Sequence, residues 1–312
     1  MSTTQAARKA PPVRPGDRVF AGLSTGAGIL ILIVLAGVAI FLTLKGIPGI
    51  TASPHEVSSG KHFIPYVWPL VYGTLIAATV ALLIAVPVAI GVALFISHYA
   101  PRRLGQTFGY LIDLLAAVPS VVYGLWGIQF LAPHMIPFYA WLANHLSFIP
   151  FFAGPASATG RTILTACIVL AVMILPIMTA ICREIFLQTP RLHEEAALAL
   201  GATKWEMARL AIFPYARSGI VSAAMLGLGR ALGETLAVAM VLSASGVVTL
   251  NLISQTNPST IAANIALKFK ESSGLDVNAL IASGLVLFII TFLVNFAARA
   301  VVERRSEFSG AN

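Results

Sequence analysis

The chain has 312 residues, 58% of them hydrophobic and only 10% charged, with a net charge of +8. Soluble domains carry about a quarter charged residues, so this composition excludes a soluble enzyme and indicates a membrane protein with almost no soluble part. The positive charge does not mark a nucleic-acid binder either. The basic residues cluster in short segments between apolar runs, where they act as topology signals.

In chain order, residues 1–18 form a polar, basic, proline-containing tail that is expected to be disordered. The apolar run at 19–44 far exceeds the 7–15-residue core of a signal peptide and reads as a retained first span. Further segments of about 20 residues, the length needed to cross a bilayer, follow at approximately 70–97, 108–131, 162–182, 218–248 and 277–301. With the first at 20–44, six transmembrane helices are expected, and an all-α polytopic fold. A transmembrane permease domain at 70–301 encloses a polar connection at 183–217, and 302–312 form a C-terminal tail.

Charge sets the orientation. Arg8, Lys9, Arg14, Arg18, Arg102, Arg103, Arg183, Arg191, Lys204, Arg209, Arg217, Arg299, Arg304 and Arg305 fall on one side. Lys45, Lys61, Arg161, Lys268 and Lys270 fall on the other. The bias places both termini in the cytoplasm. The aromatic, proline-interrupted stretch at 132–160 would spoil that bias as a seventh span, so it reads as an external interfacial helix or cap. The polar segment 251–276 reads as solvated outer surface. Cys167 and Cys182 lie in one apolar stretch and read as buried spectator thiols.

Inside the fifth span, Arg230 and Glu234 stand four residues apart in Gly227-Leu-Gly-Arg230-Ala-Leu-Gly-Glu234-Thr235. An arginine at mid-bilayer costs about 2.5–3.5 kcal/mol on insertion scales. On a continuous helix the spacing puts both side chains on one face, within reach of each other. A structural ion pair is the plain alternative, but a buried pair often contributes little net stability. The charges therefore read as an anion path, with Glu234 neutralising Arg230 when the path is empty or accepting a hydrogen bond from a proton still on the anion. Ser120 and Tyr123, beyond Pro119 in the third span, are candidate hydrogen-bond donors to the same anion. Asp113 reads as meeting water or pairing with Arg102 or Arg103. The glycines Gly227, Gly229 and Gly233 read as close helix packing.

The connection at 183–217 contains two short amphipathic helices. The first, from His193, ends at Gly201; the second is expected to stop at Pro214. Glu195-Ala196-Ala197, then three residues, Gly201, and Pro214 thirteen positions on resemble the "EAA" coupling loop of ABC-importer permeases. Where that pattern has Ile and Leu before the proline, this chain has Ala211 and Phe213. Leu114-Leu-Ala-Ala-Val-Pro119-Ser120-Val-Val-Tyr123-Gly124-Leu-Trp126-Gly127 and the Arg230 segment resemble the third- and fifth-span signatures of phosphate-transporter permeases of the PstC type.

The resemblance implies the type I ABC importer permease architecture in a bacterial inner membrane. It also implies a sister permease (PstA-like), two copies of a cytoplasmic ATPase (PstB-like) and an external phosphate-binding protein (PstS-like) as partners. Glu195, Ala196, Ala197, Gly201 and Pro214 would dock the ATPase. The chain has no G-x-x-x-x-G-K-[ST] phosphate loop, no metal-ligand cluster and no nucleophile–base cluster. It is expected to bind no cofactor and to be no enzyme, with ATP held by the partner subunits. Two other readings remain open: an ABC permease for a different oxyanion, and a secondary carrier in which Arg230 and Glu234 relay protons.

Overall fold

The computed structural model describes the backbone of residues 15–306 and the side chains of residues 16–300. The expectations for most of the N-terminal tail and the C-terminal tail lie outside the described residues. Among the described residues the fold is helical: α1 (Pro15–Thr51), α2 (Phe63–Leu94), α3 (Arg102–Ala116), α4 (Ser120–Trp126), α5 (Ala132–His145), α6 (Ile163–Leu187), α7 (Arg191–Ala199), α8 (Lys204–Met207), α9 (Phe213–Gly233), α10 (Leu236–Val241), α11 (Ile261–Lys268) and α12 (Leu275–Ser306). Wide π turns at Phe95–Tyr99, Gly127–Leu131 and Ala208–Ile212 continue α2, join α4 to α5 and join α8 to α9.

The centre is α6. Cys167, Leu170, Ile174, Met178, Cys182 and Phe186, on successive turns, are fully buried. Their neighbour α2 has an alanine every fourth position, and Ala81, Ala85, Ala89 and Ala93 are each 0% exposed. Such a small-residue stripe lets two membrane helices approach closely, so that packing replaces the hydrophobic effect that lipid cannot supply. At the periphery, α1 lies along α12. A Cβ at Gly46 would sit 3.1 Å from the Ala282 backbone, and one at Gly49 would collide with the Ala279 backbone. Gly49→Leu is therefore expected to detach α1 from α12. In detergent, limited proteolysis should then cut between α1 and α2 faster than in the wild type.

Two of the expected spans take a different form. The segment expected as one helix at 108–131 is broken at 117–119, and the helices on either side are bent by 93°. Pro119 precedes the first turn of α4 and does not merely kink a continuous helix. Helix α3 exposes Leu104, Phe108, Leu111 and Leu115 along one face. That i, i+4, i+7, i+11 stripe suits a helix lying in the membrane interface. The crossing helix is Ser120–His145, about 39 Å long at 1.5 Å per residue.

The first half of the stretch expected as an external cap is thus the end of the third span. Only the connection after His145 behaves as a cap. Phe151 and Ala153 accept backbone or side-chain bonds from Leu252 and Asn251, and Ser157 donates to Ile253 at 2.8 Å.

The outer segment is not solvated in its first half. Asn251, Ser254, Asn257, Ser259 and Thr260 are buried. Asn257 accepts from the Ile163 amide at 3.1 Å and donates to the Ser254 carbonyl at 3.0 Å, while Thr74 accepts from the Ile261 amide at 2.9 Å. Ser259 sits against Gly73, where a Cβ would collide with its carbonyl. The segment is a plug sealed by hydrogen bonds against α2 and α6, because irregular backbone at membrane depth persists only where protein satisfies it.

Candidate functional site

The fifth span starts earlier than expected and ends sooner. Pro214 does not stop the second amphipathic helix. The π turn at Ala208–Ile212 absorbs the proline's missing amide, and one helix runs from Lys204 to Gly233. It then breaks at Glu234, whose backbone is extended (φ −68°, ψ 128°), before α10 begins.

Arg230 sits in the last helical turn, where the negative end of the helix dipole favours a cation. Glu234 is 8% exposed and accepts from the Ala237 amide at 3.1 Å, capping α10. The carboxylate of Glu234 is thus turned forward onto α10. Among the described residues the ion pairs are His98–Glu194, Arg183–Asp113 and Arg183–Glu184, and Arg230–Glu234 is not one of them. The Glu234 carboxylate is instead committed forward to the Ala237 amide, away from Arg230.

Arg230 instead lines a cavity of about 840 Å³ between α6, α9 and α12. Ile174, Met225 and Leu226 supply apolar wall, with Ser222, Asn295 and Arg299 as polar groups. Among the described residues none that lines it is acidic. Two guanidiniums in an apolar-walled space without a carboxylate make a setting for an oxyanion, because the guanidinium fork matches its geometry. The glycines divide by role. A Cβ at Gly227 would meet the Met178 sulfur at 2.8 Å, so Gly227 does serve close packing. Gly229 and Gly233 face open space, and Gly229 lines the cavity beside Arg230.

Tyr123 is buried, and its hydroxyl donates to the Leu115 carbonyl at 2.9 Å. That bond spans the 93° bend and adds a second donor to a carbonyl that also accepts from the Val118 amide at 3.2 Å. Its proton is thus already committed to the bend, and Tyr123 is not among the residues lining the Arg230 cavity. Ser120 opens α4, partly exposed. Tyr123→Phe removes one of two bonds to the Leu115 carbonyl, which keeps the Val118 amide at 3.2 Å, at a net cost of about 0.5–1.5 kcal/mol. The expected outcome is a lower unfolding midpoint in detergent with only a modest fall in transport.

The elbow is built as a projecting knuckle. None of the residues of α7 is buried. Glu195, Ala196 and Gly201 are exposed, and Ala197 packs inward against a core from α2, α6 and α9 that includes Ala93, Phe186 and Ile212. Gly201 takes a left-handed conformation (φ +85°), the residue class that ends a helix in that geometry being glycine. Thr203 and Glu206 then close a full capping box on α8. Leu192 and Leu200 are 75% and 90% exposed, an apolar surface shaped for a partner's groove.

The knuckle's root is tied to the end of α2. His98 meets Glu194 at 3.3 Å, and the Lys204 ammonium lies 5.7 Å above the Tyr99 ring. Pro214 is exposed in the first turn of α9, and Ala211 is buried where the coupling pattern has Ile. Asp113 pairs with Arg183 at 3.6 Å, not with Arg102 or Arg103. The sequence reading missed Arg299: it was counted with the C-terminal charges, and no local signal tied it to a cavity on another helix.

Residues 85–307 match the family of binding-protein-dependent transport system inner membrane components. A phosphate transport system permease protein PstC 2 of Mycobacterium tuberculosis is 46% identical over 302 residues, covering 93% of each chain. A PstC of Mesorhizobium japonicum is 37% identical over 306 residues, covering 95% of this chain and 92% of its own. An inward-facing structure of the MetNI methionine ABC transporter shares the fold, with a TM-score of 0.53 at 19% identity over 78% of this chain and 95% of that one.

Proposed function

The chain belongs to the family of binding-protein-dependent transport inner membrane components, a multi-pass group of the plasma membrane, and on that premise we propose that it is the PstC-type permease of an ATP-driven phosphate importer. Half of the translocation path would be its own, and a PstA-like sister would supply the other half. The observation that carries the anion assignment is Arg230 at a helix break, opening onto a cavity in which no described lining residue is acidic. Relatives named as phosphate permeases over almost the full length support phosphate over another oxyanion.

Phosphate released by a PstS-like binding protein enters from the side of the buried plug, meets Arg230 at the break, and leaves toward the elbow side. The guanidinium replaces part of the water shell that the anion sheds. Glu234 holds α10 in place through the Ala237 amide and thereby fixes the break that aims Arg230. Two PstB-like ATPases bind ATP, close, and move the knuckle at Glu195–Gly201. The ties from α7 and α8 to the π turn of α2 pass that motion into the span that packs on α6.

The test is uptake of radiolabelled phosphate by cells lacking their own permease, with and without this chain, under excess sulfate. Uptake that requires the chain and ignores sulfate supports the proposal. Uptake competed away by sulfate moves the assignment to a different oxyanion.

A further inference from the structure

Arg299 shares the Arg230 cavity, and its placement extends the path. Helix α12 runs beside α9 in a definite register. Val294 lies with Leu228 and Leu232 in the neighbouring apolar cleft, while Asn295, Ala298 and Arg299 line the cavity with Ser222 and Met225. Higher numbers on α12 thus meet lower numbers on α9, so the two helices are antiparallel. Arg299 is displaced from Arg230 toward the elbow end of the bundle. Met225 and Arg230 are five residues apart, a step of about 7.5 Å along a helix.

Asn295 is one turn before Arg299 on the same face and can present an amide between the two guanidiniums. The Ser222 hydroxyl is already committed to the Ser218 carbonyl at 2.9 Å. The polar groups on the elbow side of Arg230 therefore come from α12.

We propose that Arg299 is a second oxyanion contact, with Asn295 beside it, that takes phosphate from Arg230 on the elbow side of the cavity. This rests on the phosphate-path reading of Arg230 and adds a step to it. A lone deep cation in an apolar cavity holds its anion tightly. A second cation in the same cavity, nearer water, offers a site of comparable charge, so the anion leaves Arg230 by exchange between the two contacts. The chemistry is that of any tetrahedral oxyanion, whether free phosphate or the headgroup of an anionic lipid, and the proposal commits to free phosphate.

The experiment uses the assembled transporter in nanodiscs carrying Arg299→Cys, with an anionic thiosulfonate as probe. Cys167 and Cys182 are buried, so the introduced thiol dominates the reaction. Inorganic phosphate is expected to slow modification while equal sulfate does not, at the same rate in phosphatidylcholine and phosphatidylglycerol discs. In cells, Arg299→Gln should lower the maximal phosphate uptake about tenfold, the loss of one charge-assisted contact.

The proposal is overturned if phosphate gives no protection, or if slowing appears only with phosphatidylglycerol, which would assign Arg299 to lipid. It is equally overturned if Arg299→Gln transports normally. Arg230→Gln, measured in parallel, separates the two readings. Loss there with normal behaviour at 299 leaves the path standing and removes only the second step, whereas normal uptake in both variants removes the path itself.

Discussion

Phosphate uptake by the Arg230→Gln variant is expected to fall by a factor of about 10–100. A guanidinium–oxyanion contact contributes about 1.5–3 kcal/mol, and each 1.36 kcal/mol is a factor of ten. Glutamine retains hydrogen-bonding capacity and roughly the length of the side chain, so the change removes charge and fork more than volume. Arg230→Lys should recover only part of the loss, because a point charge cannot present two parallel donors. The measurement is initial uptake rate against external phosphate, with membrane abundance of the chain checked by immunoblot. Unchanged uptake at equal abundance would reduce Arg230 to a cap on the C-terminus of α9, where the helix dipole alone would account for a cation.

Gly201→Val is expected to abolish transport for a different reason. Nothing lies within 4 Å of a Cβ at that position, so the substitution meets no steric obstacle. Its penalty lies in the backbone: φ of +85° is costly for a β-branched residue, on the order of 1–3 kcal/mol. The strain is relieved by reshaping the turn between α7 and α8, which tilts the knuckle that carries Glu195 and Ala196. The expected signature is a chain that still folds and reaches the membrane but no longer retains the ATPase on affinity purification. Gly201→Asn, which tolerates the left-handed region better, should keep a good part of both binding and uptake. Equal loss in the asparagine and valine variants would contradict the backbone account.

Hydropathy made the spans legible because membrane insertion reads composition directly. The chain's first, second, fourth and sixth spans coincide with α1, α2, α6 and α12 within a few residues at most ends. The elbow was legible because Gly201 and the EAA spacing are local signals, while the Thr203–Glu206 capping box emerged only with the structure. The bend before Ser120 was only half legible. Pro119 announced a disturbance, but the apolar run continues on both sides, and the 93° turn is fixed by the Tyr123–Leu115 bond and by α4 packing on α10.

The break at Glu234 was not legible at all. Ala231, Leu232, Leu236 and Ala237 favour helix as much as anything around them. What ends the helix there is the approach of α10 to Gly124, where a Cβ would stand 2.9 Å from the Ala237 backbone. The same kind of long-range fact put Arg299 in the cavity. A register between antiparallel helices 65 or so residues apart has no local signature.

The most direct measurement of the central claim is phosphate accumulation in proteoliposomes containing this chain, its sister permease and the ATPase, with the binding protein outside. The account predicts accumulation that requires ATP on the ATPase side, persists when the proton gradient is collapsed, and excludes sulfate. Accumulation driven by a proton gradient in the absence of ATP would contradict it and return Arg230 and Glu234 to the role of a proton relay.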